Sequence, residues 1–266
     1  MGLDDDLALR PLGDGAYEGR IDERWWTPRG PLGGYVMAFG VRGLELATDD
    51  SVRQPRSVTM HFLRPPAAGP IVVRPKVERA GRSLTTATAQ LEQEDRVVAL
   101  ALGALSAPWS GPLLDDASMP DVEPAGDRDE PSQGAPRAER PPFLDQLMMQ
   151  PRFGAPPFTG SDHAETGGWL GLREQRTLDA AAVTLMADAW FPAPWPRLRA
   201  LAPAPTIDLT VHFRAPLPLP EALVLGRFRT RLVRDGFFDE DGELWTPDGT
   251  LVAQSRQLGL LFDAQV

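Results

Sequence analysis

The chain has 266 residues, of which 42% are hydrophobic and 24% charged, and no apolar run in it is long enough to cross a bilayer. That describes a soluble globular protein with enough length for one large domain or two small ones. A net charge of −10 excludes a general nucleic-acid binder, and zero cysteines exclude disulfides, thiolate nucleophiles, iron–sulfur clusters and cysteine zinc sites.

The N-terminus, Met1-Gly2-Leu3-Asp4-Asp5-Asp6, is acidic and lacks the basic-then-apolar order of a signal peptide, so a cytoplasmic location is expected. Gly13-Asp14-Gly15-Ala16-Tyr17-Glu18-Gly19 imitates a dinucleotide fingerprint. Its last spacing is too long and no helix follows, so it reads as a turn.

An apolar helix is predicted over Gly33 to Ala47. Next comes a strand through Thr59-Met60-His61-Phe62-Leu63-Arg64-Pro65, with Val58, Met60 and Phe62 on one face. Three alternating runs follow, Ile71 to Ala80, Ser83 to Gln93 and Arg96 to Ser106, as expected of an antiparallel sheet. Between Ser106 and Gly160 the chain is loaded with Pro, Gly and charge and reads as a connector. Its apolar patch, Phe143 to Met149, is a candidate docking helix.

The same order of elements then returns. An apolar helix is predicted over Thr177 to Phe191, and Thr210-Val211-His212-Phe213-Arg214-Ala215-Pro216 repeats the earlier strand with His, Phe and Pro in step. Strands are expected over Ala222 to Arg234, Gly236 to Trp245 and Thr250 to Phe262, with Asp248-Gly249 as a hairpin turn. Both helices are apolar nearly all round, so each should be enclosed. The expected organisation is an N-terminal repeat over residues 1–107, a linker over 108–160, and a C-terminal repeat over 161–266.

Three groups in the second repeat stand out. Asp188 sits in an otherwise apolar helix, where a carboxylate needs a partner or a route to solvent. Thr206 opens a strand and, by the two-residue period, shares a polar face with Asp208, Thr210 and His212. Gln257 is on the last strand with the small residues Ala253, Ser255 and Gly259, a surface suited to close helix packing. Aligning Val97-Val98-Ala99 with Leu251-Val252-Ala253 sets Gly103 against Gln257, so the first repeat lacks this amide and a single site per chain is expected.

Several chemistries find no support. The nucleophile elbow Gly-x-Ser-x-Gly and the phosphate loop Gly-x-x-x-x-Gly-Lys are absent. His61, His163 and His212 have no helical zinc spacing, and Asp162-His163-Ala164-Glu165 lies in a Gly-rich loop without further ligands, so no metal site and no cofactor are expected.

Trp26-Thr27-Pro28-Arg29-Gly30-Pro31-Leu32-Gly33-Gly34, His61-Phe62-Leu63-Arg64-Pro65, Arg79-Ala80-Gly81-Arg82-Ser83 and Leu251-Val252-Ala253-Gln254-Ser255-Arg256-Gln257 together resemble the acyl-CoA thioesterase II family and its thioesterase-like relatives. The resemblance implies an α+β double hot-dog fold, two repeats each with an antiparallel sheet wrapped around a long buried helix. It also implies hydrolysis of fatty acyl-CoA by a water that Asp188, Thr206 and Gln257 orient, without a covalent intermediate. Asp208 remains a second candidate for the acid.

Gly33, Gly34, Tyr35 and Trp26 are the implied substrate-binding residues, with helix N-terminal amides as oxyanion donors. Trp25, Phe39, Trp190, Phe191 and Trp195 are further candidates for an acyl channel, and Arg64, Arg79, Arg82 and Arg234 for CoA phosphates. Acyl-CoA is the expected partner, with no nucleic acid, no membrane insertion and further homo-oligomerisation allowed. Two other readings stay open. One is a non-catalytic acyl-CoA-binding protein. The other is an enoyl-CoA hydratase, although Asp208 to His212 is one residue shorter than the Asp-x-x-x-x-His pattern of that class.

Overall fold

The computed structural model describes residues 2–127, 140–220 and 223–262. Met1, connector residues 128–139, Glu221, Ala222 at the expected start of a strand, and residues 263–266 lie outside the described residues. The first half runs α1 (Leu3–Asp6), β1 (Arg10–Pro11), β2 (Tyr17–Ile21), β3 (Trp26–Thr27), β4 (Gly30–Pro31), α2 (Gly33–Thr48), β5 (Gln54–Phe62), β6 (Gly69–Ala80), β7 (Leu84–Gln93) and β8 (Arg96–Ser106). The second runs β9 (Leu147–Gly154), β10 (Glu165–Leu172), α3 (Ala180–Met186), β11 (Thr206–Phe213), β12 (Leu223–Arg229), β13 (Val233–Arg234), β14 (Phe237–Trp245) and β15 (Leu251–Leu260).

Among the described residues, thirteen strands form one antiparallel sheet in the order β1-β2-β6-β7-β8-β5-β11-β15-β14-β12-β10-β9, with β13 on β14. The order is nearly a mirror about the β5–β11 junction, which is how an internal repeat should assemble when equivalent strands meet edge to edge. Pairing at the junction matches Thr59 with Thr210 and Val58 with Val211. Val58, Met60, Leu209 and Val211 are fully buried on the inner face, while His61 and His212 are exposed on the outer one. The alternation in sequence is thus the alternation of the pleat.

Helix α2 spans 16 residues, and Tyr35, Met37, Phe39, Val41 and Leu44 along it are completely buried. Each such large side chain contributes roughly 1.5–3 kcal/mol relative to exposure. The helix ends where Asp49 adopts a left-handed conformation, φ 44°, one that Asp tolerates better than most residues.

Helix α3 is shorter than expected, seven residues in place of Thr177 to Phe191. Asp179 starts it, accepting the Ala182 N–H at 2.9 Å. Pro192 and Pro194 stop its continuation, and the residue before a proline disfavours helical geometry. The chain leaves the helix at Ala187, with the Asp188 N–H donating to the Leu185 carbonyl. Helices α2 and α3 pack on each other, and one core cluster runs through both halves.

Within the expected connector, the patch Phe143 to Met149 is no helix. It is a single 3₁₀ turn, Pro142–Asp145, that leads into β9. β9 pairs with β10 and so completes the second half's edge. Its buried Leu147, Met148 and Gln150 make a run too short and too close to prolines to stand out in sequence. The irregular stretch before it is docked rather than free, because Met119, Val122 and Ala125 cover Trp169, Leu225 and Trp245. The Trp169 indole N–H donates to the Glu123 carbonyl at 2.9 Å.

Candidate active site

Asp188 follows α3 at the point where the chain crosses the N-terminus of α2. The Gly34 N–H donates to its Oδ2 at 2.6 Å. The first amides of a helix have no partner within it, and Leu32 at the N-cap offers no side-chain acceptor. Asp188 therefore caps α2 from the other half of the chain, where the helix dipole favours a carboxylate.

Glycine makes this approach possible. A Cβ on Gly34 would lie 2.9 Å from both Asp188 Cβ and the Leu185 carbonyl oxygen, and one on Gly33 would lie 2.9 Å from Asp188 Oδ2 and 3.4 Å from the Phe62 ring. Burial pushes the Asp188 carboxyl up to about 7, and the Gly34 N–H offsets only part of that rise.

Thr206 reaches Gln257 through an irregularity in β11. Pairing with β15 matches Asp208 with Leu258 but Thr206 with Gly259, so Ile207 is an extra residue in the strand. This bulge turns Thr206 onto the inner face with Gln257, while Asp208 stays with Thr210 and His212 on the outer one. The expected common face of Thr206, Asp208, Thr210 and His212 is thus broken at its first member. The Thr206 hydroxyl donates to Gln257 Oε1 at 2.7 Å.

The chain of bonds continues to a group that pattern reasoning missed. Gln257 Nε2 donates to Glu240 Oε1 at 2.5 Å, and the Ala193 N–H donates to Glu240 Oε2 at 2.5 Å. Glu240 is directly across from Gln257 on β14 and is 5% exposed. Burial drives its carboxyl up to about 7; the Ala193 and Gln257 donors oppose the rise and the Asp188 charge adds to it. The available signal was the inner face itself, where Glu240 is the lone acid among Phe238, Gly242 and Leu244.

Two family models match the chain. Residues 22–106 match the acyl-CoA thioesterase N-terminal domain, and residues 119–261 match the acyl-CoA thioesterase C-terminal domain. The chain belongs to the acyl-CoA thioesterase family.

The thioesterase is 26% identical, over 96% of both chains, to an uncharacterised protein of Mycobacterium tuberculosis strain H37Rv. Among solved structures, a hot-dog protein of unknown function from Alicyclobacillus acidocaldarius superposes with a TM-score of 0.87 at 27% identity, over 99% of this chain and 98% of that one. A Thermobifida fusca protein provisionally described as a thioesterase II superposes with a TM-score of 0.80 at 27% identity, over 97% of each chain. The fold is the double hot-dog, and the protein is a thioester hydrolase.

Of the residues singled out in the thioesterase sequence, Thr206 and Gln257 are in direct contact, and Asp188 is joined to Gly34 beside Gly33. Tyr35 points elsewhere. Its ring stacks on Trp25 at 5.2 Å, and its buried hydroxyl donates to the Arg20 carbonyl at 3.2 Å. Trp26 packs against the core from the short strand β3, partly buried.

The acyl-channel candidates separate in the same way. Trp25 and Phe39 are fully buried around Tyr35, and Trp195 joins Phe158 in a separate cluster. Trp190 and Phe191 come two and three residues after Asp188, with the Trp190 indole N–H donating to the Thr166 hydroxyl at 2.8 Å. Arg64, Arg79, Arg82 and Arg234 are all exposed. No group of three or more His, Cys, Asp or Glu positioned to hold a metal occurs among the described residues, and Glu165 is paired with Arg227.

Proposed function

We propose that the protein hydrolyses fatty acyl-CoA thioesters to free acid and CoA, with Asp188 as the base that orients and deprotonates the attacking water. Thr206 and Gln257 hold that water from the β11–β15 side, so water attacks directly and no acyl-enzyme forms. The remaining first-turn amides of α2, at Gly33 and Tyr35, serve as oxyanion donors. The thioester is then clamped between the first repeat's helix N-terminus and the second repeat's strands.

The observation that carries this reading is the cross-half contact of Gly34 with Asp188 together with the Thr206–Gln257 contact inside the second half, around buried groups that the first half lacks. Asp208 is the weaker candidate for the base because the bulge leaves it on the outer face. That placement also disfavours a hydratase built on Asp208 and His212. An acyl-binding protein without activity would need Asp188 only as the cap of α2, and the buried chain from Thr206 through Gln257 to Glu240 goes beyond that need.

Two further proposals concern the chain as a whole. Residues 1–107 and 161–266 act as the two repeats, with 108–160 tethering them and lending β9 to the second. The cytoplasm is the compartment in which this activity is proposed. Release of CoA from a panel of short to long acyl-CoA thioesters, followed with a thiol-reactive dye, tests the function, and the absence of cysteine leaves no protein background. Turnover with a chain-length optimum supports fatty acyl-CoA as substrate; acyl-CoA binding without turnover contradicts it.

A further inference from the structure

Glu240 is a buried carboxyl that direct attack by an Asp188-held water does not itself require. Its burial is unfavourable, and the fold does not demand it. Leu209 pairs with Gln257 across β11–β15 as Val58 pairs with Gly103 across β5–β8, so Gly103 and Gln257 are equivalent. Gly103 in turn faces Ala87 on β7 where Gln257 faces Glu240 on β14. The repeat thus carries Ala with Gly in one half and Glu with Gln in the other. The two polar residues occur as a unit, in the half that also holds Thr206 and Asp188.

We propose that Glu240 is a positioning residue that fixes the direction of the hydrogen bonds leading to Thr206, an inference that rests on the water-attack reading above. An ionised carboxylate only accepts hydrogen bonds. With Oε2 taking the Ala193 N–H, Oε1 demands a donor from Gln257, so the amide turns its NH2 toward Glu240 and its oxygen toward Thr206. Thr206 must then spend its only proton on Gln257, as it does at 2.7 Å.

What the hydroxyl leaves over is lone pairs alone. A water between Thr206 and Asp188 therefore gives one hydrogen to each and keeps its own lone pair for the thioester carbonyl. Were the chain reversed, Thr206 would donate to the water and compete for that lone pair. The polarity set at Glu240 is in this way transmitted to the nucleophile.

The test uses Glu240→Gln, which keeps size while replacing one acceptor by a donor. Its oxygen still serves Ala193, its NH2 now faces Gln257, and the amide of Gln257 has to turn over. The expected result is a kcat lowered about 10- to 100-fold with KM within about twofold and Tm at least that of the parent enzyme. In a Thr206→Val background the same change should lower kcat less than about threefold, because its route to the water is already cut.

A parental kcat in Glu240→Gln, or losses that multiply in the double variant, would overturn the proposal. Should Glu240→Gln not fold, the exchange Glu240→Gln with Gln257→Glu again puts an acceptor against Thr206: turnover supports the inference, and a folded, inactive protein contradicts it. Asp188→Asn measured alongside separates the two levels. An inactive Asp188→Asn with a fully active Glu240→Gln removes only the role of Glu240, whereas full activity in both removes the water-attack reading.

Discussion

Thr59 and Thr210 meet hydroxyl to hydroxyl, 2.9 Å apart, at the junction of β5 and β11. They are equivalent positions of the two repeats, so the pseudo-twofold axis of the molecule passes between them. Each repeat's strand pairs with its own counterpart, which joins the halves into one sheet, and the first half's helix terminus meets Asp188 of the second.

This pair predicts a coupling across the axis. Thr59→Val or Thr210→Val alone leaves a half-buried hydroxyl without its partner and should lower stability by about 1 kcal/mol. The double variant should lose less than the sum, since no orphan remains. Urea denaturation of the four proteins measures the coupling, and strictly additive losses would contradict it.

Gly34→Ala is expected to damage stability and activity together. The added Cβ would stand 2.9 Å from the Leu185 carbonyl oxygen, a backbone atom that cannot rotate away. We expect about 1–3 kcal/mol of destabilisation. Displacing α3 from α2 would also break the Gly34–Asp188 bond and lower kcat at least about tenfold. Thermal unfolding and kcat on one preparation check both effects.

The two raised carboxyls give activity and stability opposite pH dependences. Asp188 and Glu240 are both pushed up to about 7; Asp188 must be ionised to take the water's proton and Glu240 to present two oxygens with no O–H of its own, so kcat/KM should fall as pH drops through about 7. Because the groups interact, the profile reports apparent values of the pair.

For stability the sign reverses. Carboxyls whose folded pKa exceeds the unfolded one favour the native state at low pH, and that contribution is lost as pH rises from about 4 through about 7. Asp188→Asn should accordingly be more stable than the parent at pH 8, by on the order of 2 kcal/mol, with the difference shrinking toward pH 5. Denaturant midpoints at the two pH values test this.

Much of this architecture was legible in the sequence because repetition and alternation are local signals. The His-Phe-Pro coincidence located β5 and β11, and the run Ala253, Ser255, Gln257, Gly259 identified the inner face of β15. Three features were not legible. The bulge at Ile207 appears only when β11 is paired with β15, so a strict two-residue period put Thr206 on the wrong face. Helix α3 was overextended because Ala189, Trp190 and Phe191 continue its apolar character past Met186, where it ends, and the first stop signal in the sequence is Pro192. Glu240 escaped notice among the acids of β14, since Asp239, Asp241 and Glu243 alternate with it and only pairing separates inner from outer.

Asp188 is the residue on which the account depends most. The most direct test is CoA release by Asp188→Asn beside the parent enzyme at pH 8, with one acyl-CoA that the parent turns over and with folding checked by circular dichroism. A carboxyl that holds and deprotonates the water predicts a kcat at least about 100-fold lower in the folded variant. Turnover by Asp188→Asn within a few fold of the parent would contradict the assignment of the base.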